Sequence, residues 1–513
     1  MYNLKKILPL ILIFLLFVSW KSKRTDSSLP RSTPEEQGVS SESILRFVNA
    51  ADKNIKEMHS FMFLRHGKVI AEGWWNPYSK EYKHTMYSLS KSFTSTAVGF
   101  AISEKLISLD DKVISFFPHD LPDTISTYLS EMTVRNLLTM TAGQNPDPTF
   151  KITSSTNWVK TFLALPVKDK PGSKYLYNSL ATFMLSAIVQ KATSEKVLDY
   201  LNPRFFTPLD IINIDWEINP QGINTGGWGL RLKTEDIAKA GQFYLQKGRW
   251  NGMQLLSSQW IEEATTFKIE QAPQALQAEK DSSDWMQGYG YQFSLCRYNG
   301  YRGDGAYGQY MIVMPNLDAV IVMTAEKGNM QPQLNLVWKY LLPGIKEGKL
   351  PSNDESLKKL TTRLSSLALT VNLKHSTSKI EKSIAGKIFV LEPNEYKIES
   401  VKISFTGKIC RVSLKVDSLT KTIDLEMGKW SLGETYLPAP NLLMNKILTG
   451  MLPFKIAGNY TWKDENTLEL TLRYIETAHS QLITLRFDQN NIFMSFRNAF
   501  TQKNPTVLKG LAV

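Results

Sequence analysis

Cysteine is scarce in this chain: there are two in 513 residues, Cys296 and Cys410. Neither lies in a C-x-x-C pair or beside a histidine cluster, so a disulfide framework and a thiolate metal site are both disfavoured. Each reads as a small buried side chain, and a bridge between them is not expected. The six histidines (59, 66, 84, 119, 375 and 479) show no H-E-x-x-H or comparable ligand spacing, so no metal is expected. The formal charge is +12, yet no long basic run follows Arg24 and the remaining cations are interleaved with acids. That pattern describes a solvated basic surface rather than a nucleic-acid groove. The N-terminal apolar run, Ile7 to Trp20, has 14 residues, short of the roughly 20 needed to span a bilayer. A G-x-S-x-G elbow is also missing, which argues against a Ser-His-Asp hydrolase built on that turn. There is no repeat of fixed period and no low-complexity tract.

A chain of this length calls for two domains, one large and one smaller, and an apolar fraction of 42% supplies real cores. Lys5 and Lys6 ahead of the apolar run make residues 1–28 an export signal or, because no small-x-small cleavage pair follows, an uncleaved anchor. The domain behind it is then expected in the periplasm or cell envelope. Ser40 or Ser41 caps a helix over about 42–57. Phe61–Leu64 and Val69–Ala71, separated by Arg65-His66-Gly67-Lys68, predict a β-hairpin. The stretch after Ser88 is a helix rich in small residues, suited to burial on nearly all sides. Further helices are expected over Val134–Thr141, from Ser179 to about Thr193, after Thr234, and over 331–342. Strands are expected at Tyr289–Cys296, Tyr307–Met314 and Ala319–Thr324.

The texture changes beyond about residue 346. Residues 346–376 are rich in Lys and Ser and read as a linker with one helical piece. From 377 to 513 the chain alternates short strands and turns, among them Lys402–Phe405, Glu469–Leu472 and Leu482–Phe487, and predicts a small antiparallel β domain.

Chemistry concentrates at Ser88-Leu89-Ser90-Lys91. In a helix, positions i and i+3 share a face, so Lys91 can reach Ser88, and a lysine is able to act as the base that a serine nucleophile needs. The same S-x-x-K spacing recurs at Ser356/Lys359, Ser376/Lys379 and Ser418/Lys421, but in charged surroundings where solvated side chains are the simple reading. Ser88 alone opens a buried-type helix whose free N–H groups favour a developing anion. Two other stretches carry two readings each. Tyr177-Asn178-Ser179 is either a core tyrosine plus a helix cap, or a phenol delivered to a site. Gly303-Asp304-Gly305-Ala306-Tyr307-Gly308 is either a turn or bulge, or a strand edge with an N–H aimed at an oxyanion.

Taken together, and in this order, the three stretches resemble the serine β-lactamase and penicillin-binding-protein superfamily, in its class C-like branch of esterases, D-amino-acid peptidases and amide-oligomer hydrolases. The resemblance extends to Ser32–Gly38, Arg65–Lys68, Leu137–Thr141, Gly248–Gly252 and Pro315–Asp318, and covers about residues 30–345. It implies an α/β fold of the α+β type, with a mainly antiparallel sheet flanked by helices over 29–345, followed by the accessory β domain. It further implies that Ser88 is the acylated nucleophile, that Lys91 takes or shares its proton, that Tyr177 relays the proton to the leaving group, and that the backbone N–H groups of Ser88 and Ala306 form the oxyanion hole. Asn178, Ser179, Gly303 and Gly305 are the expected substrate-binding positions, and Trp228, after Gly226-Gly227, either lines the pocket with them or packs in the core. No cofactor is implied.

Two departures from the family pattern bear on the substrate. The second motif is usually Tyr-x-Asn, and here Ser179 takes the third place. The third motif usually opens with Lys or His, and here Gly303 stands there, so the cation that would hold a substrate carboxylate is missing unless Arg302 substitutes. The expectation is an exported serine hydrolase that cleaves an ester, amide or β-lactam bond of a small-molecule or short-peptide substrate through an acyl-serine intermediate, with esters and amides favoured over efficient β-lactam turnover. The competing expectation is a catalytically silent envelope protein of the same fold. Neither involves nucleic acid, and membrane contact is confined to the N-terminal leader.

Overall fold

The computed structural model describes residues 28–145, 154–371, 373–437, 453–499 and 505–513. The predicted leader lies outside these residues. Among the described residues no helix is long and apolar enough to cross a membrane.

Short, largely apolar runs build a six-stranded sheet with order β2-β1-β6-β5-β4-β3, from β1 (Met58–Arg65), β2 (Lys68–Trp74), β3 (Ser294–Leu295), β4 (Tyr301–Gly305), β5 (Gln309–Met314) and β6 (Ala319–Ala325). Every pairing is antiparallel. Successive residues of a strand face opposite sides, and here both sides are covered. Met62, Leu64, Met311, Val313, Val320 and Val322 join the core formed with α2 (Ser90–Ser103), α3 (Ser179–Thr193) and α4 (Thr234–Leu245). Phe61, Phe63, Ile312, Ile321 and Met323 pack on the other side against α1 (Ser41–Ile55), α5 (Gln331–Leu336) and α6 (Asp354–Ser365). The result is a mixed α/β, β-lactamase-like layering.

The expected hairpin, α1, α2 and α3 form where the patterning puts them. The expected strand at Tyr289–Cys296 shrinks to Ser294–Leu295, while β4 forms in the glycine-rich stretch that reads as a turn. Glycine lowers strand propensity, but this strand is held by ladder bonds on both edges. Helix α2 is buried from Ser90 to Ala101, as its small residues foretold. Cys296 and Cys410 are both free and buried.

Residues 346–376, which read as a linker, carry α6, and that helix is not a free tether. Leu360, Leu367 and Leu369 are buried in the same core as α1. Beyond it, ten strands make a closed barrel: β7 (Ile388–Leu391), β8 (Ile398–Thr406), β9 (Ile409–Val416), β10 (Leu419–Met427), β11 (Ser431–Thr435), β12 (Phe454–Asp464), β13 (Thr467–Tyr474), β14 (His479–Asp488), β15 (Asn491–Asn498) and β16 (Val507–Ala512). The run is antiparallel, and a short parallel pairing of β10 with β12, Glu426 against Asn459, closes it. Closure removes the exposed strand edges that an open sheet would present. Trp462, Tyr460, Leu470 and Leu485 belong to its interior core.

The barrel is packed onto the first unit. Ala457 and Ile475 belong to the core that contains α1 and β1. Arg473 donates to Glu57 at 2.6 Å and stacks over Trp430 at 5.0 Å. Thr85 N–H donates to the Glu476 carbonyl at 3.2 Å. Arg473 is 5% exposed and lies 3.9 Å from the fully buried Glu326 carboxylate, and removing one partner of a buried ion pair strands the other charge at a cost of about 3–5 kcal/mol. Arg473→Ala is therefore expected to lower the stability of the full chain by about that amount, read as a fall in the midpoint of thermal or urea unfolding. An unchanged midpoint would mean that this contact does not hold the barrel in place.

Candidate active site

The nucleophile turn is local in origin. Tyr87–Leu89 form one turn of 3₁₀ helix that runs directly into α2, so Ser88 sits at a helix start with Lys91 one turn further along. Lys91 Nζ donates to Ser88 Oγ at 3.0 Å, to Ser179 Oγ at 3.1 Å and to the Gly227 carbonyl at 2.8 Å. Those three acceptors match the three donors of an ammonium. Lys91 is 2% exposed, and a charge that deep persists only when it is fully partnered.

Tyr177 OH lies 2.6 Å from Ser88 Oγ, and its ring face stands 4.9 Å from Lys91 Nζ. The phenol is 42% exposed, so it forms the solvent-facing wall of the site. Its position comes from the cap that follows it. Asn178 Oδ1 accepts from Leu180 N at 2.9 Å and from Ala181 N at 3.2 Å, which starts α3. Asn178 Nδ2 donates to Gln144 Oε1 at 2.9 Å, and the residue is buried.

Asn178 thus acts as a helix cap and not as a substrate contact. A side chain that caps two N–H groups has no acceptor to spare for a ligand. Ser179, expected at the third place of that motif, does face the site through Lys91.

Strand β4 crosses beside the nucleophile. A Cβ on Gly305 would run into the Met86 carbonyl oxygen, and one on Gly303 would meet Leu89 and lie 2.6 Å from Ser92 Oγ. Both positions require glycine so that the strand can lie against the Tyr87–Leu89 turn. Both are buried, which removes Gly303 and Gly305 from the substrate-binding set; Ala306, just past β4, is only half-buried. Ser88 lies in the turn that leads into α2, and Ala306 directly follows β4 beside that turn, the placement expected of backbone donors to a ligand oxygen.

Arg302 does not substitute for the missing cation. It is fully buried on the opposite side of β4, ion-paired to Asp304 at 2.9 Å and donating to the Asp284 and Leu295 carbonyls. Trp228 also turns away. It is buried in the core beside Trp158 and its Nε1 donates to Glu217 Oε2 at 3.0 Å, so it packs rather than lines the site.

Two features escaped the sequence reading. The Gly227 carbonyl is one, since a backbone acceptor leaves no side-chain signal; the Gly226-Gly227 pair was the only hint. The other is a buried polar network at the barrel junction. Glu57, His59 and Glu326 place their ligand atoms within 4.8 Å of one another, the single group of this kind among the described residues. The Arg473 guanidinium already lies against Glu57 and 3.9 Å from Glu326, so the carboxylate charge is met there without a metal ion.

The sequence model of the Beta-lactamase family matches residues 52–341, more than half of the chain. The chain belongs to the beta-lactamase family. A relative of this beta-lactamase-family protein is the 6-aminohexanoate-dimer hydrolase of Paenarthrobacter ureafaciens, 22% identical over 312 residues, covering 57% of this chain and 79% of that one. Among solved structures, EstCE1, a hydrolase with promiscuous acyltransferase activity, is 16% identical with a TM-score of 0.49 and covers 58% of this chain and 98% of its own. The octameric penicillin-binding protein homologue from Pyrococcus abyssi is 14% identical with a TM-score of 0.48, over 91% of this chain and 99% of its own. Its family makes this protein a hydrolase-type enzyme.

Two predictions follow from the geometry. Gly305→Ala places a methyl against a backbone oxygen, and overpacking of this kind costs about 1–3 kcal/mol; unfolding midpoints should fall, and a wild-type midpoint would show that β4 has room to shift. Glu217 is half-buried, and desolvation of its carboxyl raises it to about 8, against the opposing hydrogen bond from Trp228. Its stabilising effect is greatest below the unfolded value near 4.5 and is lost as pH rises through about 8. Glu217→Gln has no such loss, so its melting temperature relative to wild type should rise between pH 5 and pH 8, as calorimetry would measure. A constant difference would contradict the assignment.

Proposed function

We propose that this protein is an exported serine hydrolase that cleaves an ester or amide through an acyl-Ser88 intermediate. The observation that carries the reading is the convergence of Lys91 Nζ and Tyr177 OH on Ser88 Oγ, at 3.0 and 2.6 Å. Ser88 Oγ attacks the substrate carbonyl carbon while its proton passes to the Tyr177 oxygen, acting as the phenolate beside the Lys91 ammonium. The carbonyl oxygen becomes an oxyanion and is received by the Ser88 and Ala306 N–H groups. The Lys91 charge, held by Ser179 and Gly227, stabilises the negative charge that forms as the proton leaves. Tyr177, on the open side, returns the proton to the departing alcohol or amine, and water then resolves the acyl-enzyme by the same path.

The substrate class is argued from the third-motif strand. Gly303 supplies no cation, and Arg302 is engaged elsewhere. A substrate carboxylate therefore lacks its charged partner on this strand, which favours small-molecule or short-peptide esters and amides without one over penicillins. Export rests on Lys5 and Lys6 ahead of the apolar run.

A fluorophosphonate probe with intact-mass readout tests the nucleophile. One adduct is expected on wild type and none on Ser88→Ala; equal labelling of both, or of neither, would end the reading. A hydrogen bond to a charged group is worth about 1.5–3 kcal/mol, so kcat/KM for short acyl esters should exceed that for nitrocefin by about tenfold to a hundredfold. The reverse order would contradict the substrate class.

A further inference from the structure

The barrel reaches the nucleophile turn through one side chain. His479 opens β14, 392 residues from Tyr87, and its Nε2 is hydrogen-bonded to Tyr87 OH. Tyr87 immediately precedes Ser88. The His479 ring also packs edge-on against Tyr307, with centroids 4.9 Å apart, and Tyr307 immediately follows Ala306. Tyr87 and Tyr307 meet each other edge-on at 5.1 Å, so three rings form a closed cluster behind the two amides that await the oxyanion.

The backbone there needs external support. Tyr87 has φ +47° and Tyr307 φ +70°, a left-handed conformation that bulky residues hold only when their surroundings over-determine it. His479 is itself well anchored. It is fully buried, and the next residue, Ser480, donates from N and Oγ to Glu326 at 2.9 and 2.6 Å. Glu326 directly follows the central strand β6. Burial keeps the His479 ring neutral, down to about 3, and keeps the Tyr87 phenol protonated; Nδ1 faces the Glu326 carboxyl at 3.9 Å, which favours the tautomer with its proton on Nδ1 and leaves Nε2 to accept from the phenol.

We propose that His479, supplied by the C-terminal barrel, is a positioning residue for the active site, fixing Tyr87 and Tyr307 and through them the Ser88 and Ala306 amides. The barrel then completes the catalytic unit rather than being appended to it. This inference rests on the acyl-Ser88 reading, since only an oxyanion generated at Ser88 needs those two amides.

The test uses the full chain and the variants Tyr87→Phe, His479→Ala and His479→Gln. Hydrolysis of a short-chain acyl p-nitrophenyl ester is followed alongside thermal unfolding. Small misplacements of reacting groups cost up to about a hundredfold in rate. Tyr87→Phe and His479→Ala should lose at least about tenfold in kcat with KM changed less than about twofold. His479→Gln, whose amide oxygen can accept from the Tyr87 phenol, should recover most of that loss. Tyr87→Phe removes a single oxygen, so it decides the matter even if His479→Ala does not fold. Wild-type kcat in folded Tyr87→Phe, or a change confined to KM, would overturn the inference while fluorophosphonate labelling of Ser88 still stood. Absence of labelling on wild type would overturn the nucleophile reading and this inference with it.

Discussion

A buried lysine is the constraint from which the site is built. Lys91 lies under the surface with its ammonium bonded to three oxygens from three separate parts of the chain: Ser88 before α2, Ser179 at the start of α3, and the Gly227 carbonyl. Stripping water from an unpaired ammonium costs several kcal/mol, so these three segments are held within hydrogen-bond reach of one point. Ser179 follows the Asn178 cap, and that cap fixes where Tyr177 projects. Satisfying one charge therefore brings the phenol to the serine. The same interaction joins packing to the proposed chemistry, because the charge that must be satisfied for folding is the one proposed to stabilise the proton transfer from Ser88.

Much of this was legible in the chain itself. The i, i+3 relation of Ser88 and Lys91 is a helix property that sequence spacing reports directly, and the small residues of α2 announced a helix buried all round. The apolar runs of β1, β5 and β6, buried on both faces, and the strand-rich texture after residue 377 carried the layering and the barrel. What failed was the assignment of side-chain direction. Asn178 and Ser179 are adjacent, and only the cap geometry decides which of them faces Lys91. Trp228 follows two glycines beside the site, yet its indole packs in the core and donates to Glu217. Gly303 reads as a lost cation; in space it is the position where no side chain fits against Leu89 and Ser92. His479 could not be connected to Tyr87 from sequence, because the link depends on how a closed barrel docks on another unit.

That docking gives the C-terminal unit a role its composition did not suggest. Arg473, Ile475, Glu476, His479 and Ser480 cluster where β13 turns into β14, and together they meet Glu57, Thr85, Tyr87 and Glu326. One hairpin thus touches the strand leaving α1, the nucleophile turn and the end of the central strand. Arg473 to Glu57, Ser480 to Glu326 and His479 to Tyr87 tie the two units together there, and such networks fix one arrangement rather than merely adding stability. An enzyme whose oxyanion donors are backbone amides depends on arrangement more than on residue identity, so a rigid second domain behind those amides is a physically reasonable use of the barrel.

The central claim is that Ser88 attacks and that its own amide and that of Ala306 receive the oxygen. A crystal structure of the full chain inactivated with a fluorophosphonate would test it most directly. The account predicts phosphorus bonded to Ser88 Oγ and the phosphonyl oxygen within about 2.7–3.1 Å of both N–H groups. A phosphonyl oxygen turned to solvent, or an adduct on another residue, would contradict it.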